Sequence, residues 1–229
     1  MNTMTTLSTP VAPDLGELAA ASRELEHAPA SRVLDWAWDR FGEELVLAAS
    51  FQDCVLIDVA TKVAPDVEVV FLDTGFHFSE TLVTLRRAQS RYRLNLRVER
   101  AAPDAPDLFE VGTEGCCAAR KVALLDRALL DKDAWLTGLR RSEAETRTAA
   151  PIVSRDKRGL VKVCPLANWS DDDVARYIAD NDIIVNPLQY EGYPSIGCWP
   201  CTEPVLEGED PRAGRWRGSG KTECGLHFS

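Results

Sequence analysis

Apolar positions along the chain alternate between two rhythms, and their order predicts an α/β fold. Leu15–Glu26 and Ser31–Phe41 carry apolar residues at helical spacing, with Ser31 as the candidate N-cap of the second segment. Glu44–Ser50 is a compact apolar run that predicts the first strand of a buried sheet, and the apolar helix Val55–Lys62 follows after a short turn. The same order recurs downstream. Val67–Leu72 predicts a strand that ends in Asp73-Thr74-Gly75 and leads to a helix near Ser79, and Leu94–Glu99 predicts a third strand. Pro103–Thr113 is expected to be a loop, and Cys116 to open a helix running to about Leu130 on the spacing of Val122, Leu125 and Leu129. Ala134–Leu139 and Val161–Val163 predict two more strands. Ser170 caps a helix whose first turn holds Asp171, Asp172 and Asp173 and which runs to Ile178. Asn186–Thr202 reads as a rigid loop on Gly192, Pro194, Gly197 and Pro200, whereas Gly208, Gly214, Gly218 and Gly220 mark a mobile tail.

The expected architecture is therefore α/β, an open, mostly parallel sheet flanked by helices, with a mobile C-terminal tail. Residues 1–40 form an N-terminal helical extension, 41–203 the α/β domain and 204–229 the tail. The length of 229 residues suits one such domain with appendages. A formal net charge of −10 argues against a nucleic-acid partner, so an anionic small substrate must be held by a few local cations. No apolar run approaches the roughly 20 residues of a membrane span, and Met1–Pro13 lacks a secretory pattern, which points to the cytoplasm and no membrane. Trp36, Trp38, Trp169 and Trp216 suit a core or a subunit contact equally, which leaves room for a homo-oligomer.

The chain has seven cysteines, which in a reducing compartment read as ligands, catalysts and small core residues rather than disulfides. Cys116 and Cys117 are adjacent, Cys198 and Cys201 have C-x2-C spacing, and Cys224 stands near the end of the chain with His227 three residues on. Four thiolates suit a structural zinc or an iron–sulfur cluster, and unliganded or disulfide-paired thiols stay open. Adjacent cysteines splay from consecutive backbone positions, which several iron corners accept more easily than one tetrahedral ion. A 4Fe-4S cluster on Cys116, Cys117, Cys198 and Cys201 is the favoured reading. Cys224 is then left as a reactive thiol on a basic segment, with Arg212, Arg215, Lys121 and His227 as candidates to favour its thiolate and to neutralise an anion. Cys54 and Cys164 read as core residues. Ser50 lies at a strand-to-helix junction where helix amides favour an anion, but the turn lacks the glycines of an ATP pyrophosphate loop.

Cys116-Cys117 with Arg120 and Lys121, the segment Tyr193–Thr202, Asp210–Trp216 and Lys221–His227 together resemble the assimilatory adenylylsulfate reductases of the 3′-phosphoadenylylsulfate reductase family, over roughly Ala48 to the end. The resemblance implies an adenine nucleotide alpha hydrolase-like sheet. It places Asp73 and Gly75 beside the adenosine, gives Gly138, Arg140 and Arg147 a part in holding the nucleotide, and puts Lys121 between substrate and cluster. The implied reaction is attack of Cys224 on the sulfur of adenylylsulfate, with thioredoxin then releasing sulfite from an S-sulfocysteine. Two rivals remain: a 3′-phosphoadenylylsulfate (PAPS) reductase, and a non-catalytic iron–sulfur nucleotide-binding regulator.

Overall fold

Leu45–Ala49 (β1) lies at the centre of a six-stranded sheet because both of its faces are covered, which is why it reads as a continuous apolar run. The computed structural model describes residues 13–223 and 225–226. The other strands are Glu68–Asp73 (β2), Asn95–Arg100 (β3), Ala134–Thr137 (β4), Val153–Arg155 (β5) and Val161–Val163 (β6), in the spatial order β3-β2-β1-β4-β6-β5. All pairings are parallel except β5 with β6. Five of these strands match the apolar runs of the sequence. The antiparallel edge strand β5 does not; it is three residues long and is folded onto β6 by a turn in which Asp156 Oδ1 accepts from the amides of Arg158 and Leu160.

Seven helices flank the sheet among the described residues: Leu15–Glu24 (α1), Ala30–Phe41 (α2), Val55–Val63 (α3), Ser79–Tyr92 (α4), Leu108–Cys117 (α5), Ala123–Ala128 (α6) and Asp171–Asn181 (α7). Strand alternation splits the core in two. Leu45, Leu47, Val69, Phe71 and Leu136 pack with α1, α2 and α3 on one face, and Val46, Val70 and Trp135 meet Leu125, Ala128 and Leu129 on the other. Truncating one of the fully buried leucines to alanine would cost about 2–5 kcal/mol. Cys54 and Cys164 are buried in the larger core, where burial pushes both thiols up, that of Cys164 to about 11.

Two helix starts differ from the sequence reading. α2 begins at Ala30 with Pro29 as its N-cap, not at Ser31, because the fixed φ of proline sets the entry and Ser31 falls inside the first turn. α5 begins at Leu108, inside the expected loop Pro103–Thr113, because Asp107 and Glu110 close a capping box. Gly112, at φ +69°, then breaks this helix so that the residues bearing Cys116 and Cys117 start a new direction. The Ser170 cap is as expected, with Ser170 and Asp173 exchanging hydrogen bonds.

From β1 the chain builds outward through β2 and β3, then returns to place β4 on the other side of β1. Connections leave β1 and β4 in opposite directions, so a crevice opens at their carboxyl ends, the usual ligand position of an open α/β sheet. No helix among the described residues is long and apolar enough to cross a membrane.

Candidate functional site

The crevice is a cavity of about 230 Å³. Ser50, Gly138, Arg140, Arg147, Lys121, Arg212 and Arg215 all line it, so the fold brings these sequence-predicted residues together. Asp73 and Gly75 do not line it. Asp73 accepts from the amide of Gly75 and faces Arg100 at 3.6 Å, while Gly75 turns the chain at φ +80° beneath Arg120. Cys224 and His227 lie outside the described residues.

The turn after β1 is held by distant backbone. Phe51 is fully buried at φ +56°, a costly conformation for a bulky residue that its surroundings must impose. Cys54 N donates to Ile184 O, Asn186 N to Gln52 O, and Ile196 N to the Gln52 side chain. Val55 N donates to Asp53 Oδ1, so the first amide of α3 already has an acceptor. Asp53 faces the cavity, and burial holds its carboxyl above the ordinary range against the pull of the Val55 amide and Arg140. The arginines form an alternating network. Arg140 faces Glu143 and Asp171, Arg147 pairs with both Glu143 and Glu223, and Glu223 also meets Arg212.

Behind this cavity, Cys116, Cys117, Cys198 and Cys201 line a second one together with Thr74, Thr113, Arg120 and Pro200. The two cysteine segments are stitched to the turn after β2: His77 bridges Cys198, Trp199 N donates to Phe76 O, and the Thr74 hydroxyl lies 3.3 Å from the Cys198 sulfur. Arg120 caps the carbonyls of Thr74, Ala105 and Pro106 and covers the Phe76 ring. Its planar fork fits that triple task, which a lysine would not. Burial first, then the neighbouring Cys117, Cys198 and Cys201, push the Cys116 thiol up to about 11, and burial also raises Cys201. Among the described residues no three His, Cys, Asp or Glu side chains converge on a single ion's position. Four sulfur donors lining one cavity have the chemistry of a structural zinc or an iron–sulfur cluster.

Ala118–Val122 forms a π-turn between α5 and α6, which rotates Lys121 to the boundary between the two cavities. Lys121, Arg215 and Trp216 line both. Arg215 stacks on Trp216 with 4.4 Å from its guanidinium carbon to the ring centroid, and its Nη1 donates to Ser195 Oγ. The tail reaches this wall by folding back on the second cysteine pair: Thr202 bridges Arg215, and Trp216 N donates to Cys201 O. Gly197 is required by that approach, since a Cβ there would sit 2.3 Å from Arg215 Nη2. Gly197→Ala should displace Arg215 and lower kcat/KM about 10- to 100-fold while the melting temperature falls by only a few degrees, measured by steady-state kinetics and thermal melts.

The sequence reading passed over Gln52, Asp53, Thr74, His77, Arg120, Glu143 and Glu223. Gln52 and Asp53 in the turn after Ser50, Thr74 between Asp73 and Gly75, Arg120 beside Lys121 and Glu223 beside Cys224 all stood inside segments already singled out, whereas His77 and Glu143 did not. Burial holds His77 below its ordinary value and therefore neutral at pH 7.

The profile of the phosphoadenosine phosphosulfate reductase domain matches residues 44–204. The chain is 47% identical to the adenosine 5'-phosphosulfate reductase of Mycolicibacterium smegmatis, covering 99% of this chain and 100% of the relative. It is 47% identical to the protein of that name from Mycobacterium tuberculosis, covering 95% and 96%. Among solved structures, the phosphoadenylyl-sulfate reductase of Candida auris superposes with a TM-score of 0.74 at 26% identity, covering 86% of this chain and all of that one. The FMN adenylyltransferase of Candida glabrata shares the fold alone, with a TM-score of 0.60 at 13% identity, covering 88% of this chain and 73% of that one.

Proposed function

Because the chain belongs to the phosphoadenosine phosphosulfate reductase family, and its relatives named adenosine 5'-phosphosulfate reductase match it from end to end, we propose that it reduces adenylylsulfate to sulfite and AMP with thioredoxin as the electron donor. The observation that carries this reading is the shared wall of Lys121, Arg215 and Trp216 between a cation-lined cavity and a four-cysteine cavity.

In the proposed reaction the adenosine lies in the crevice between β1 and β4, and the phosphosulfate faces Lys121, Arg212 and Arg215. Cys224, as thiolate, attacks the sulfur of the sulfate. The sulfur–oxygen bond to the phosphate breaks, AMP leaves with that electron pair, and the sulfonate stays on Cys224. A thioredoxin thiolate then attacks the Cys224 sulfur, expels sulfite and leaves a mixed disulfide that the second thioredoxin thiol resolves, so the dithiol supplies both electrons. An anionic nucleophile 4 Å from an anionic substrate meets about 4 kcal/mol of repulsion near a protein surface, which these cations offset. His227 is proposed to assist at the same point. A 4Fe-4S cluster held by Cys116, Cys117, Cys198 and Cys201 would supply fixed charge and order to the pocket without passing electrons to substrate. We place the reaction in the cytoplasm, where reduced thioredoxin is available.

The rival substrate, PAPS, carries an extra phosphate that needs cations near the ribose. Arg140 and Arg147 are already paired with Glu143, Asp171 and Glu223, which supports adenylylsulfate. A sulfite-release assay with reduced thioredoxin should favour adenylylsulfate over its 3′-phosphorylated form by about 100-fold or more in kcat/KM. Equal turnover of the two would overturn the substrate assignment, and no turnover of either would overturn the activity.

A further inference from the structure

The resemblance groups Arg147 with the nucleotide-binding residues, yet its guanidinium is engaged elsewhere. Glu223, whose side chain is 4% exposed, accepts from Arg147 Nε at 2.7 Å on one oxygen and from Nη2 at 2.7 Å on the other. Thr146 Oγ1 and Arg212 Nη2 also donate to this carboxylate, at 3.2 and 3.3 Å. The remaining edge of Arg147 meets Glu143, which braces it against the turn that leaves β4. We propose that Arg147 is a positioning residue for the sulfonate transfer: it holds Glu223 in a buried two-point ion pair and so fixes where the next residue, Cys224, meets the substrate. This rests on the reading of Cys224 as the nucleophile.

The chain is tied on the far side of Cys224 as well. Leu226 is partly buried against the smaller core, and a Cβ on Gly225 would stand 3.6 Å from Val122, the neighbour of Lys121 in the π-turn. The tail thus spans from the exit of β4 to the element that carries Lys121, with Cys224 between the two ties. A fork-to-fork pair sets orientation as well as distance, and a single-point contact would not. A buried ion pair adds little net stability compared with apolar packing, so four donors converging on one tail carboxylate are better explained by placement than by folding energy. Arg212 takes part on both sides, donating from Nη2 to Glu223 and to Thr222 O while lining the cavity.

The test uses the full-length, cluster-loaded enzyme and the variants Glu223→Gln, Glu223→Ala, Arg147→Ala and the double alanine variant. Three quantities are measured: tryptic cleavage after Lys221, affinity for AMP, and the single-turnover rate of Cys224 sulfonation by adenylylsulfate without reductant. Cleavage after Lys221 should accelerate about 100-fold in either alanine variant and no further in the double variant, because both remove the same pair. Glu223→Gln should fall between the wild type and Glu223→Ala. Sulfonation should slow about 100-fold in the alanine variants while AMP affinity stays within about 3-fold of the wild type. If Arg147→Ala loses AMP affinity and Glu223→Ala sulfonates at the wild-type rate, Arg147 is a substrate ligand and the proposal fails. Additive effects in the double variant would also overturn it. The Glu223 variants carry the test should Arg147→Ala fail to fold. A wild-type chain that is never sulfonated contradicts the proposed reaction instead, and the cleavage data still decide whether the ion pair holds the tail.

Discussion

Cys224→Ser is expected to abolish sulfite release while leaving nucleotide affinity and iron content unchanged. Serine keeps the size of the side chain but cannot supply a thiolate, and removal of a covalent nucleophile costs on the order of 10⁶ in kcat. A serine ester of sulfate, even if formed, offers thioredoxin no sulfur–sulfur bond to exchange, so the second half of the reaction is lost as well. Among the described residues the cavity between β1 and β4 is lined by Ser50, Gly138, Arg140 and Lys121, and Cys116, Cys117, Cys198 and Cys201 share their own cavity. AMP affinity by calorimetry should therefore stay within about 3-fold. Sulfite release within ten-fold of the wild type would remove Cys224 from the mechanism.

Lys121→Ala is expected to have the next largest effect, a loss of about 10³-fold in kcat/KM with the iron content retained. The π-turn puts this lysine between the cysteines and the cation-lined crevice, so its ammonium faces negative charge on both sides once the pocket is filled. Charge preorganised where negative charge builds up in the transition state is worth roughly 3–4 kcal/mol per group. Arg215 shares the wall but stacks on Trp216 and reaches Ser195, so it cannot move across to replace the missing charge. The loss should appear mainly in kcat. A variant that raises KM alone would make Lys121 a ground-state anchor.

The sheet was legible because its strands are short apolar runs closed by turn residues, and β1, β2, β3, β4 and β6 fall within a few residues of those runs. β5 was not, since three residues with Ser154 and Arg155 carry no periodic signal and its pairing is decided by the turn at Asp156. The start of α5 was hidden because Pro103 and Pro106 pointed to a loop while the capping box of Asp107 and Glu110 began a helix inside it. In the site, cysteine spacing and flanking basic residues marked Cys116, Cys117, Cys198, Cys201, Lys121 and Arg215, which do share adjoining cavities. Residues whose role comes from a distant partner left no such mark. Glu223 is 76 positions from Arg147, and the Gln52 side chain is fixed by an amide 144 positions away.

The sequential account rests on a covalent sulfonate carried by one cysteine, and the mass of the intact chain tests it most directly. Cluster-loaded enzyme mixed with adenylylsulfate and no reductant should gain one sulfonate group, mapped to Cys224 in the peptide that follows Lys221, with one AMP released per chain. Reduced thioredoxin should then discharge it as sulfite. AMP release without that adduct, or a sulfonate mapped to any of the other cysteines, would contradict the account.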